Sequence, residues 1–423
     1  MDRTRLLEIV QEQYQELKAV QTGTEREKLN DICEVLELPH VIAITGMRRC
    51  GKSTLMHQAL KQVYADQVYY LDFEDERLID FNVNDFNLLY EIFIELFGEK
   101  KVFFFDEIQV VDKWESYVRR MYKSGYKFII SGSSAELLSS ELSTKLTGRH
   151  VTIELLPFSF LEYLKFIEYP IDVSKPILTK ERGLLKNAFN QYLKKGGIPE
   201  YLKYDNSVIV KGIYENIIYK DVIVRYEIKD VKSLRELSLW LLSNSGSLIS
   251  YTKLKNILHL GSINTVKNYI HFLENAYLIF TVEKYTYSVG SQTVAQKKVY
   301  TIDTGLMEAI GFQFSKNMGK YLENIVYLQL RRSQQAKIYY YKTKNDLEVD
   351  FCLREDRKVI MLIQVTEAMN TPETRDREIK ALVAAMNELK LQESIIITLD
   401  HAETIEIDKK IIKVIPIVSW LLS

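Results

Sequence analysis

The stretch Val41-Ile-Ala-Ile-Thr-Gly46-Met-Arg-Arg-Cys-Gly51-Lys52-Ser53-Thr54 decides the fold of this chain. From Gly46 onward it fits the phosphate-loop pattern G-x-x-x-x-G-K-[ST] in full. The pattern needs a strand before it and a helix after it, and the sequence predicts both, because an apolar run precedes Gly46 and a helical pattern follows Lys52. We therefore expect a phosphate-binding loop at the edge of a parallel α/β sheet.

The residues of this loop have distinct predicted roles. Gly46 and Gly51 let backbone N–H groups turn inward without a clash of side chains. Lys52 adds a positive charge for the outer phosphates of a nucleotide, and Ser53 is predicted to ligate Mg²⁺. The predicted nucleotide-binding residues are Gly46, Met47, Arg48, Arg49, Cys50, Gly51, Lys52, Ser53 and Thr54.

A second apolar run, Val102-Phe-Phe-Phe105, ends in two acids, Asp106 and Glu107. An unbroken apolar run is typical of a strand buried on both faces of a parallel sheet, and ligands bind at the carboxyl end of such strands. The whole pattern is typical of a Walker B strand. Asp106 is predicted to hold Mg²⁺ directly or through water, and Glu107 to act as general base or to orient the attacking water.

Two later residues are candidates for contacts to the transferred phosphate. A third predicted strand, residues 127–131, leads to Ser133, whose hydroxyl is expected to hydrogen-bond the γ-phosphate or the attacking water. Arg149 precedes a predicted strand at 151–155, and a cation there could neutralise transition-state charge in its own site or in a neighbouring subunit's. Taken alone, that pattern gives an ordinary surface arginine, so the arginine-finger role depends on a family resemblance.

Composition excludes several classes of protein. With 423 residues, 47% of them hydrophobic and 27% charged, the chain is expected to form two or three soluble domains, and no apolar stretch approaches the ~20 residues of a membrane span. The amino-terminal residues carry acids within the apolar pattern, so no signal peptide is predicted. Three cysteines without metal or redox spacing suit a reducing cytoplasm. A net charge of −1 argues against a wholly basic nucleic-acid coat.

Hydrophobic periodicity predicts an α/β fold with four regions. Residues 1–36 are helical in pattern, and from about 40 to 155 short apolar strands alternate with helices, as in an open parallel sheet. The strands are predicted at 41–45, 68–73, 102–106, 127–131 and 151–155, and the helices near 52–64, 86–97 and 114–124. The predicted domains are a P-loop core at 1–157, a helical lid or linker at 158–232, a winged-helix region at 233–294 and a nuclease-like domain at 295–423.

The third region is interpreted as a winged helix-turn-helix. Helices are predicted at 233–243, 251–258 and 262–274, and two wing strands at 277–283 and 284–288. The third helix of this motif enters the major groove in DNA-binding members. The predicted DNA contacts are Lys255, Thr265, Lys267 and Asn268. A winged helix used for protein contact or packing has nearly equal support, because only Lys267 is cationic on that helix.

The last region has the pattern of a degenerate nuclease. Metal-dependent nucleases of the restriction-endonuclease type combine a helical acid with an Asp on one strand and an acid-x-Lys on the next. Here Glu323 and Asp350 fill the first two positions, but the next strand has Gln364 and Thr366, which supply neither charge for a metal nor a catalytic lysine. Because Glu348 also remains, metal binding stays open. We expect a restriction-endonuclease-like domain without nuclease activity, with Glu323, Asp350 and Gln364 as its degenerate site.

Several stretches, in this order along the chain, resemble one protein family. They are Gly46-Met-Arg-Arg-Cys-Gly51-Lys52-Ser53, Phe105-Asp106-Glu107-Ile108-Gln109, Ser131-Gly-Ser-Ser134, Gly148-Arg149, Gly196-Gly197-Ile-Pro199-Glu200, Ile302-Asp303-Thr-Gly305 and Glu348-Val349-Asp350-Phe351. Together they resemble the bacterial and archaeal AAA-type ATPases that carry a C-terminal DUF4143 domain. The resemblance implies an ATPase core that uses ATP and Mg²⁺, a winged-helix region and a nuclease-like fold, with the sensor and arginine roles at Ser133 and Arg149.

The resulting hypothesis is a cytoplasmic Mg²⁺-dependent ATPase that acts on DNA, with homo-oligomerisation left open. An alternative from another class is an ATP-gated protein switch or assembly factor that does not bind DNA. A small-molecule kinase would share the phosphate loop, but no dedicated substrate lid is predicted. No guanine-reading Asn-Lys-x-Asp stretch stands out after the sheet, which favours ATP.

Overall fold

The computed structural model describes residues 1–64, 67–133, 148–170, 179–311 and 318–423. Ser134 and residues 146–147, which adjoin the predicted sensor and arginine, lie outside the described residues. The chain divides into two compact units: unit 1 comprises Met1–Leu156 with Asn275–Tyr277, and unit 2 comprises Pro157–Glu274 with Leu278–Ser423. No helix within the described ranges is long and apolar enough to cross a membrane.

Unit 1 is built on five parallel strands. They are β1 (Val41–Thr45), β2 (Tyr69–Asp72), β3 (Val102–Asp106), β4 (Lys127–Gly132) and β5 (His150–Glu154). Their order across the sheet is β2-β3-β4-β1-β5. Because neighbouring strands all pair in parallel, their carboxyl ends meet at one edge, where the phosphate loop and Asp106 lie. The α/β fold with a parallel sheet is thereby confirmed.

Helices cover this sheet. They are α1 (Arg3–Ala19), α2 (Lys28–Glu34), α3 (Lys52–Val63), α4 (Phe86–Phe97) and α5 (Trp114–Lys123). Apolar residues of α1, α4 and α5 share one core with alternate strand residues such as Val41 and Ala43, while Ile42 and Ile44 face the other side. The predicted helical region at residues 1–36 contains two helices, and the segment 20–27 that separates α1 from α2 departs from the prediction.

Unit 2 begins with helices. The helices of this unit are α6 (Phe160–Phe166), α7 (Thr179–Lys195), α8 (Pro199–Tyr204), α9 (Ser207–Asn216), α10 (Val231–Ser243), α11 (Tyr251–Ile257), α12 (Ile263–Asn275), α13 (Val289–Val294), α14 (Thr304–Ile310), α15 (Met318–Ser333), α16 (Pro372–Leu389) and α17 (Ile417–Leu421). A π-helix, Ile217–Val224, continues α9. The described part of residues 158–232 contains helices and no strand, in agreement with the predicted helical region.

A small antiparallel sheet follows α10. Its strands are β6 (Ser247–Ile249), β7 (Ile279–Val282) and β8 (Lys297–Thr301), and β8 lies between the other two. The second wing strand predicted at 284–288 is wrong. Within that segment only Lys284 makes an isolated bridge, to Tyr340, and Tyr285 is buried in the core of the next sheet instead. The strand that pairs with β7 is β8, which comes later in the chain.

The carboxyl-terminal part of unit 2 is a six-stranded mixed sheet. Its strands are β9 (Lys337–Lys342), β10 (Glu348–Glu355), β11 (Lys358–Val365), β12 (Glu393–Thr398), β13 (Glu403–Ile407) and β14 (Lys410–Pro416). Their order is β13-β14-β12-β11-β10-β9. Leu382 and Met386 of α16 share a core with Val349 and Leu362 of β10 and β11, and this core fixes the middle of the sheet.

Candidate functional site

The phosphate loop connects β1 to α3, and close backbone approach shapes it. A Cβ atom on Gly46 would lie 2.2 Å from the carbonyl oxygen of Leu155, so only glycine fits. Gly51 has a φ of +100°, and a Cβ atom there would lie 2.8 Å from Nη1 of Arg26. The two glycines of the pattern are therefore required by the local geometry itself.

Lys52 begins α3, and its ammonium group lies inside the loop. Nζ donates to the carbonyl oxygens of Gly46 at 3.3 Å and Met47 at 3.2 Å, and pairs with Oε1 of Glu107 at 3.1 Å. Burial opposes the charge, but the nearby negative groups, led by Glu107, outweigh it and raise the pKa of Lys52. Burial likewise opposes the charge of Glu107, but Lys52 lowers the pKa of that carboxyl. Both side chains are therefore charged at neutral pH.

The two predicted Mg²⁺ ligands, Ser53 and Asp106, lie within hydrogen-bond reach of each other. Asp106 is buried and also accepts a hydrogen bond from the hydroxyl of Ser131. Burial, and then the charge of Glu107, raise the pKa of Asp106. The Ser131 hydroxyl accepts from the backbone N–H of Glu107 at 3.0 Å, so one side chain positions both acids. Sequence analysis missed Ser131, although a polar residue inside an apolar strand could have marked it.

Arg26 supports the phosphate loop from the segment between α1 and α2. Its guanidinium donates to the carbonyl oxygens of Cys50 at 2.6 Å and Leu156 at 2.7 Å, and its backbone N–H donates to Oε1 of Gln58 at 3.1 Å. The residue is 3% exposed. Sequence analysis missed Arg26, because its partners Cys50 and Leu156 lie 24 and 130 residues away and no local pattern marks them.

Ser133 and Arg149 lie at opposite edges of the sheet. Ser133 follows β4 at the carboxyl edge and is fully buried, and its Oγ has no hydrogen-bond partner in the part of the chain that the structure describes. Arg149 precedes β5 at the amino edge, where its carbonyl accepts from Val41 and its guanidinium lies 6.0 Å from the centre of the Tyr122 ring. Strand β5 separates Arg149 from the carboxyl edge by roughly 15 Å. The backbone of Arg149 therefore lies at the edge of the sheet away from the phosphate loop, and its role in its own site or in a neighbouring subunit's stays a prediction.

The other predicted nucleotide-binding residues have varied surroundings. Met47 and Cys50 are fully buried. Burial raises the pKa of the Cys50 thiol, so the reactive thiolate form is disfavoured and Cys50 acts as a small core residue. Arg48 pairs at 2.6 Å with a carboxylate that follows β2. Arg49 has a positive φ of 60°, and Thr54 is half-buried in the first turn of α3.

A cavity of about 740 Å³ meets the site where Ser53 and Asp106 lie. Acidic side chains from α1 and from the segment after β2 line part of it, together with Asp72, and Arg77, His57 and apolar side chains line other parts. Asp72 ends β2 directly beside Asp106 in strand register. Burial, and then the charge of Asp106, raise the pKa of Asp72 to about 7. Sequence analysis did not single out Asp72, although it follows an apolar strand just as Asp106 does.

Comparison with known proteins places this geometry in a family. Residues 39–164 match an AAA domain, residues 186–317 a domain of unknown function, DUF8612, and residues 318–420 the domain of unknown function DUF4143. An uncharacterised protein of Methanocaldococcus jannaschii is 36% identical over 415 residues, which cover 93% of this chain and 91% of that protein. The chain belongs to the family of AAA-domain proteins with a C-terminal DUF4143 domain.

This AAA–DUF4143 protein is also similar to a second uncharacterised protein and to solved structures. An uncharacterised protein of Haemophilus influenzae is 32% identical over 411 residues, covering 93% of this chain and 97% of that protein. AMPPCP-bound DnaA from Aquifex aeolicus is 15% identical, covers 59% of this chain and 86% of its own, and has a TM-score of 0.27. The Hsp104:casein complex of S. cerevisiae is 15% identical, covers 59% and 49%, and has a TM-score of 0.30. With TM-scores this low, the family assignment stands on the domain matches and relatives.

The DUF8612 part brings two of the quoted sequence stretches together. The buried carboxylate of Asp303 accepts from the backbone N–H groups of Gly197 at 2.6 Å and Gly305 at 2.8 Å. Burial raises the pKa of Asp303 to about 6, although these backbone donors oppose the rise. Asp303 therefore joins the turn before α8 to the start of α14.

The predicted DNA contacts lie on α11 and α12 of the same part. Lys267 and Asn268 are exposed, and Lys255 is half-buried. The hydroxyl of Thr265 lies 3.0 Å from that of Ser262, whose side chain also caps α12 by accepting from the backbone N–H of Thr265. Thr265 is thus engaged in the helix cap, and the exposed polar surface of α12 is carried mainly by Lys267 and Asn268.

The DUF4143 domain brings Glu323 of α15, Asp350 of β10 and Gln364 of β11 together. Gln364 accepts from the backbone N–H of Asp350 at 3.2 Å and donates to Glu378 at 2.7 Å. Lys298 of β8, which sequence analysis did not identify, lies among the acids at 2.8 Å from Asp350. Across the described ranges, no group of three His, Cys, Asp or Glu side chains is arranged to hold a metal ion.

Proposed function

We propose that this protein is a cytoplasmic, Mg²⁺-dependent ATPase. The observation that carries the proposal is the Lys52–Glu107 ion pair, 3.1 Å across inside the phosphate loop, next to the hydrogen-bonded Ser53 and Asp106. One buried site thus combines a phosphate-binding cation, a metal-binding acid and a water-orienting acid. Phosphoryl transfer needs mainly this kind of positioning and charge stabilisation. The AAA-domain match at residues 39–164 supports nucleotide binding.

The donors at this edge fit Mg²⁺ and ATP. Ser53 and Asp106 offer the hydroxyl and carboxylate oxygens that Mg²⁺ prefers, and Mg²⁺ supplies charge neutralisation at the phosphates when it is bound. Lys52 would balance the charge of the outer phosphates. Glu107, held ionised by Lys52, would orient the attacking water. The hydroxyl of Ser133, which has no hydrogen-bond partner among the described residues, would contact that water or the γ-phosphate.

The catalytic residues are tested by ATP turnover of the wild type, Lys52→Ala and Glu107→Gln, with Mg²⁺ and with EDTA. We expect turnover only in the wild type with Mg²⁺, and we expect Glu107→Gln to bind a fluorescent ATP analogue that Lys52→Ala does not bind. Lys61→Ala is the matched control, because Lys61 also lies on α3 but donates to the carbonyl of Val20. A folded wild type without Mg²⁺-dependent turnover would contradict the proposal.

Arg149 is proposed to act on the site of a neighbouring copy. Its place at the amino edge of the sheet supports this role, since β5 lies between it and the carboxyl edge that carries its own phosphate loop. A mixture of Arg149→Ala and Lys52→Ala proteins tests it. Each is expected to be inactive alone, and the mixture is expected to regain turnover because an intact loop then meets an intact arginine. A mixture as inactive as its components would contradict the proposed role of Arg149 in a neighbouring copy.

DNA is the proposed partner. The order α10, β6, α11, α12, β7, β8, with β8 between the other two strands, supports a winged-helix interpretation, and the acids at the degenerate site support a restriction-endonuclease-like fold for the last domain. Fluorescence anisotropy with duplex and single-stranded DNA at low salt tests the partner, together with ATP turnover in the presence of each DNA. Absence of binding at low salt would reject this proposal.

The alternative is an ATP-gated protein switch or assembly factor. It is favoured by the small positive charge of α12, on which Lys267 is the sole Lys or Arg and Thr265 is engaged in the cap. The test is affinity capture with Glu107→Gln, which should hold ATP, and with Lys52→Ala, which should not. A protein captured by the first variant alone, in extracts treated with nuclease, would favour the switch. Capture by both or by neither would count against it.

A further inference from the structure

A buried lysine stands at the centre of the acids in the DUF4143 domain. Nζ of Lys298 lies 2.8 Å from Asp350 Oδ1, 2.8 Å from Glu348 Oε1 and 3.0 Å from Glu323 Oε1. The lysine comes from β8 of the small sheet, and the acids come from α15 and β10. Three elements that are distant in sequence therefore converge on one ammonium group.

The ammonium donates hydrogen bonds to Glu323 and Asp350 and forms an ion pair with Glu348. A lysine has three N–H donors, and Lys298 faces three carboxylates, while its side chain is only 2% exposed. The acids are held from outside as well. Glu323 accepts from the hydroxyl of Tyr300 at 2.7 Å, and the second oxygen of Asp350 accepts from the backbone N–H of Val365 at 3.0 Å. The arrangement is thus a fixed cation site whose cation is part of the chain.

With Lys298 in place these three acids are not arranged to hold a metal ion, but without the lysine they would offer the ligands of a divalent-metal site. Carboxylate oxygens from separate elements are the ligands that Mg²⁺ and Mn²⁺ prefer, and a lysine ammonium is a compact point charge that can occupy such a position. A cleft of about 690 Å³ opens onto Glu323, Glu348 and Asp350, so an ion from solvent would have an entry path if the lysine were removed. Gln364 borders the same cleft but carries no charge.

We propose that Lys298 is a built-in cation that occupies the position of a divalent metal among Glu323, Glu348 and Asp350. The acid cluster of the DUF4143 domain then receives its cation from β8 of the DUF8612 part and needs no metal, and removing the lysine converts the acids into a divalent-cation site. This inference is independent of the proposed ATPase function, because all the groups lie in unit 2. In this proposal, Lys298 is a further reason, in addition to Gln364 and Thr366, why the domain would not bind a nuclease metal.

The test is a Mn²⁺ titration of the full chain, followed by electron paramagnetic resonance of free Mn²⁺. All proteins carry Asp106→Asn, so that the proposed Mg²⁺ site of the phosphate loop does not contribute. The variants compared are the Asp106→Asn parent, Lys298→Met, Lys298→Met with Asp350→Asn, and Lys297→Met. Lys297 is the matched control, because it precedes Lys298 on β8 but pairs with Glu283 at 2.9 Å.

We expect Lys298→Met to bind one Mn²⁺ at least about tenfold more tightly than the parent, because three facing carboxylates without a counter-charge attract a divalent ion strongly. Asp350→Asn should abolish the gain, and Lys297→Met should behave as the parent does. Mn²⁺ should also raise the melting temperature of Lys298→Met and leave that of the parent unchanged.

Two results would overturn the proposal. One is a folded Lys298→Met protein that gains no Mn²⁺ site, and the other is a parent that already binds Mn²⁺ through Asp350. If Lys298→Met does not fold, Lys298→Gln replaces it, since a glutamine amide can still donate to one acid. If neither folds alone, refolding is compared with and without Mn²⁺. Recovery only with Mn²⁺ supports the proposal, and no recovery in either condition contradicts it.

Discussion

Two buried lysines, one in each unit, differ in what surrounds their ammonium groups. Lys52 has one carboxylate partner, Glu107, and two loop carbonyls, and its side chain is 4% exposed. Lys298 has three carboxylate partners and is 2% exposed. The two lysines are equally buried, so burial does not distinguish their roles.

The difference lies in how many bonds a ligand must replace. At Lys52 a phosphate oxygen can take over from one carboxylate and two neutral carbonyls, in a loop whose glycines admit close backbone approach. At Lys298 the ammonium lies within 3.0 Å of the buried Glu323 and Asp350 and compensates their charge, so a ligand that took its place without a positive charge would leave both acids uncompensated. We infer that the first lysine is suited to exchange partners and the second to hold a structure together.

The largest predicted effect separates the two lysines by stability. Lys298→Met should destabilise unit 2 by about 3–5 kcal/mol, because removing one partner of a buried ion cluster leaves the other charges unpaired. Lys52→Met should cost less than half as much, since Glu107 retains the hydrogen bond from Gln109. Hydrogen exchange in urea, measured on peptides from β8 and β10 and from β1 and β3, checks both. Equal losses of stability in Lys298→Met and Lys52→Met would contradict the proposed difference between the two lysines.

The next effect separates them by activity. Lys52→Met should lower ATP turnover by roughly 10²–10³-fold, as expected for the loss of a charged group at a transition state. Lys298→Met should keep turnover within about threefold of the wild type at a temperature where it is folded, because it removes no group of the phosphate loop. Steady-state kinetics at saturating ATP measure both. A large loss of turnover in folded Lys298→Met would link the acid cluster to the ATPase cycle.

The third prediction is that the two lysines' partners respond oppositely to pH. Burial, and then the charge of Asp350, raise the pKa of Glu323 from 4.5 to about 7, so its folded form binds protons more tightly and the free energy of unfolding falls as pH rises from 4.5 to 7, by about 3 kcal/mol. The pKa of Glu107 is lowered, so its contribution is present above pH 4.5 and is lost as pH falls through its folded pKa.

The measurement is urea unfolding between about pH 3 and 8 for the wild type, Glu323→Gln and Glu107→Gln. The difference between wild type and Glu323→Gln should change across pH 4.5–7, with the wild type losing stability relative to the variant. The difference for Glu107→Gln should be flat in that window and should change only at lower pH. The same slope for both variants would contradict the assigned charge states.

A smaller effect concerns Arg26, which supports the phosphate loop that holds Lys52. Arg26→Met removes two charge-assisted hydrogen bonds to backbone carbonyls at the phosphate loop, and it should weaken nucleotide binding by about 1.5–3 kcal/mol, or roughly 10–100-fold. Lys28→Met is the matched control, because Lys28 is nearby but pairs with Asp31 of its own helix. Titration with a fluorescent ATP analogue measures both. An unchanged affinity in Arg26→Met would show that the glycines alone fix the loop.

The sequence predicted the phosphate-loop lysine and missed its counterpart for a physical reason. Strands β1 and β3 have the predicted bounds, because continuous apolar runs and the residues after them are local signals. The role of Lys298 depends on acids that lie 25, 50 and 52 residues later in the chain. The role of Arg26 depends in part on a carbonyl 130 residues later. Such partners become visible only when the fold brings them together.

At the degenerate nuclease site, the sequence predicted the grouped acids but missed the lysine that neutralises them. Glu323, Asp350 and Gln364 could be placed together from their spacing on a helix and two strands. The loss of charge at Gln364 was visible, but the lysine that neutralises the remaining acids was not. The second wing strand failed for a similar reason: the alternating tyrosines at 285 and 287 suit a strand, and only the fold reveals that Tyr285 belongs to another core.

The smallest predicted effect concerns the exposed lysines Lys255 and Lys267. Their effect on DNA affinity should depend on how many lysines contact phosphates, whereas the effects of Lys52 and Lys298 depend on their burial. If the winged-helix surface binds DNA, Lys255→Ala with Lys267→Ala should reduce the slope of log affinity against log salt by about 2, because each lysine that neutralises a phosphate releases about one counterion. Lys413→Ala is the control, since Lys413 is also exposed but pairs with Glu393 at 2.7 Å in the DUF4143 domain. Fluorescence anisotropy across a salt series measures the slopes. An unchanged slope in the double variant, with DNA still bound, would move the DNA surface away from α11 and α12, whereas an equal change in Lys413→Ala would mean that binding follows net charge alone.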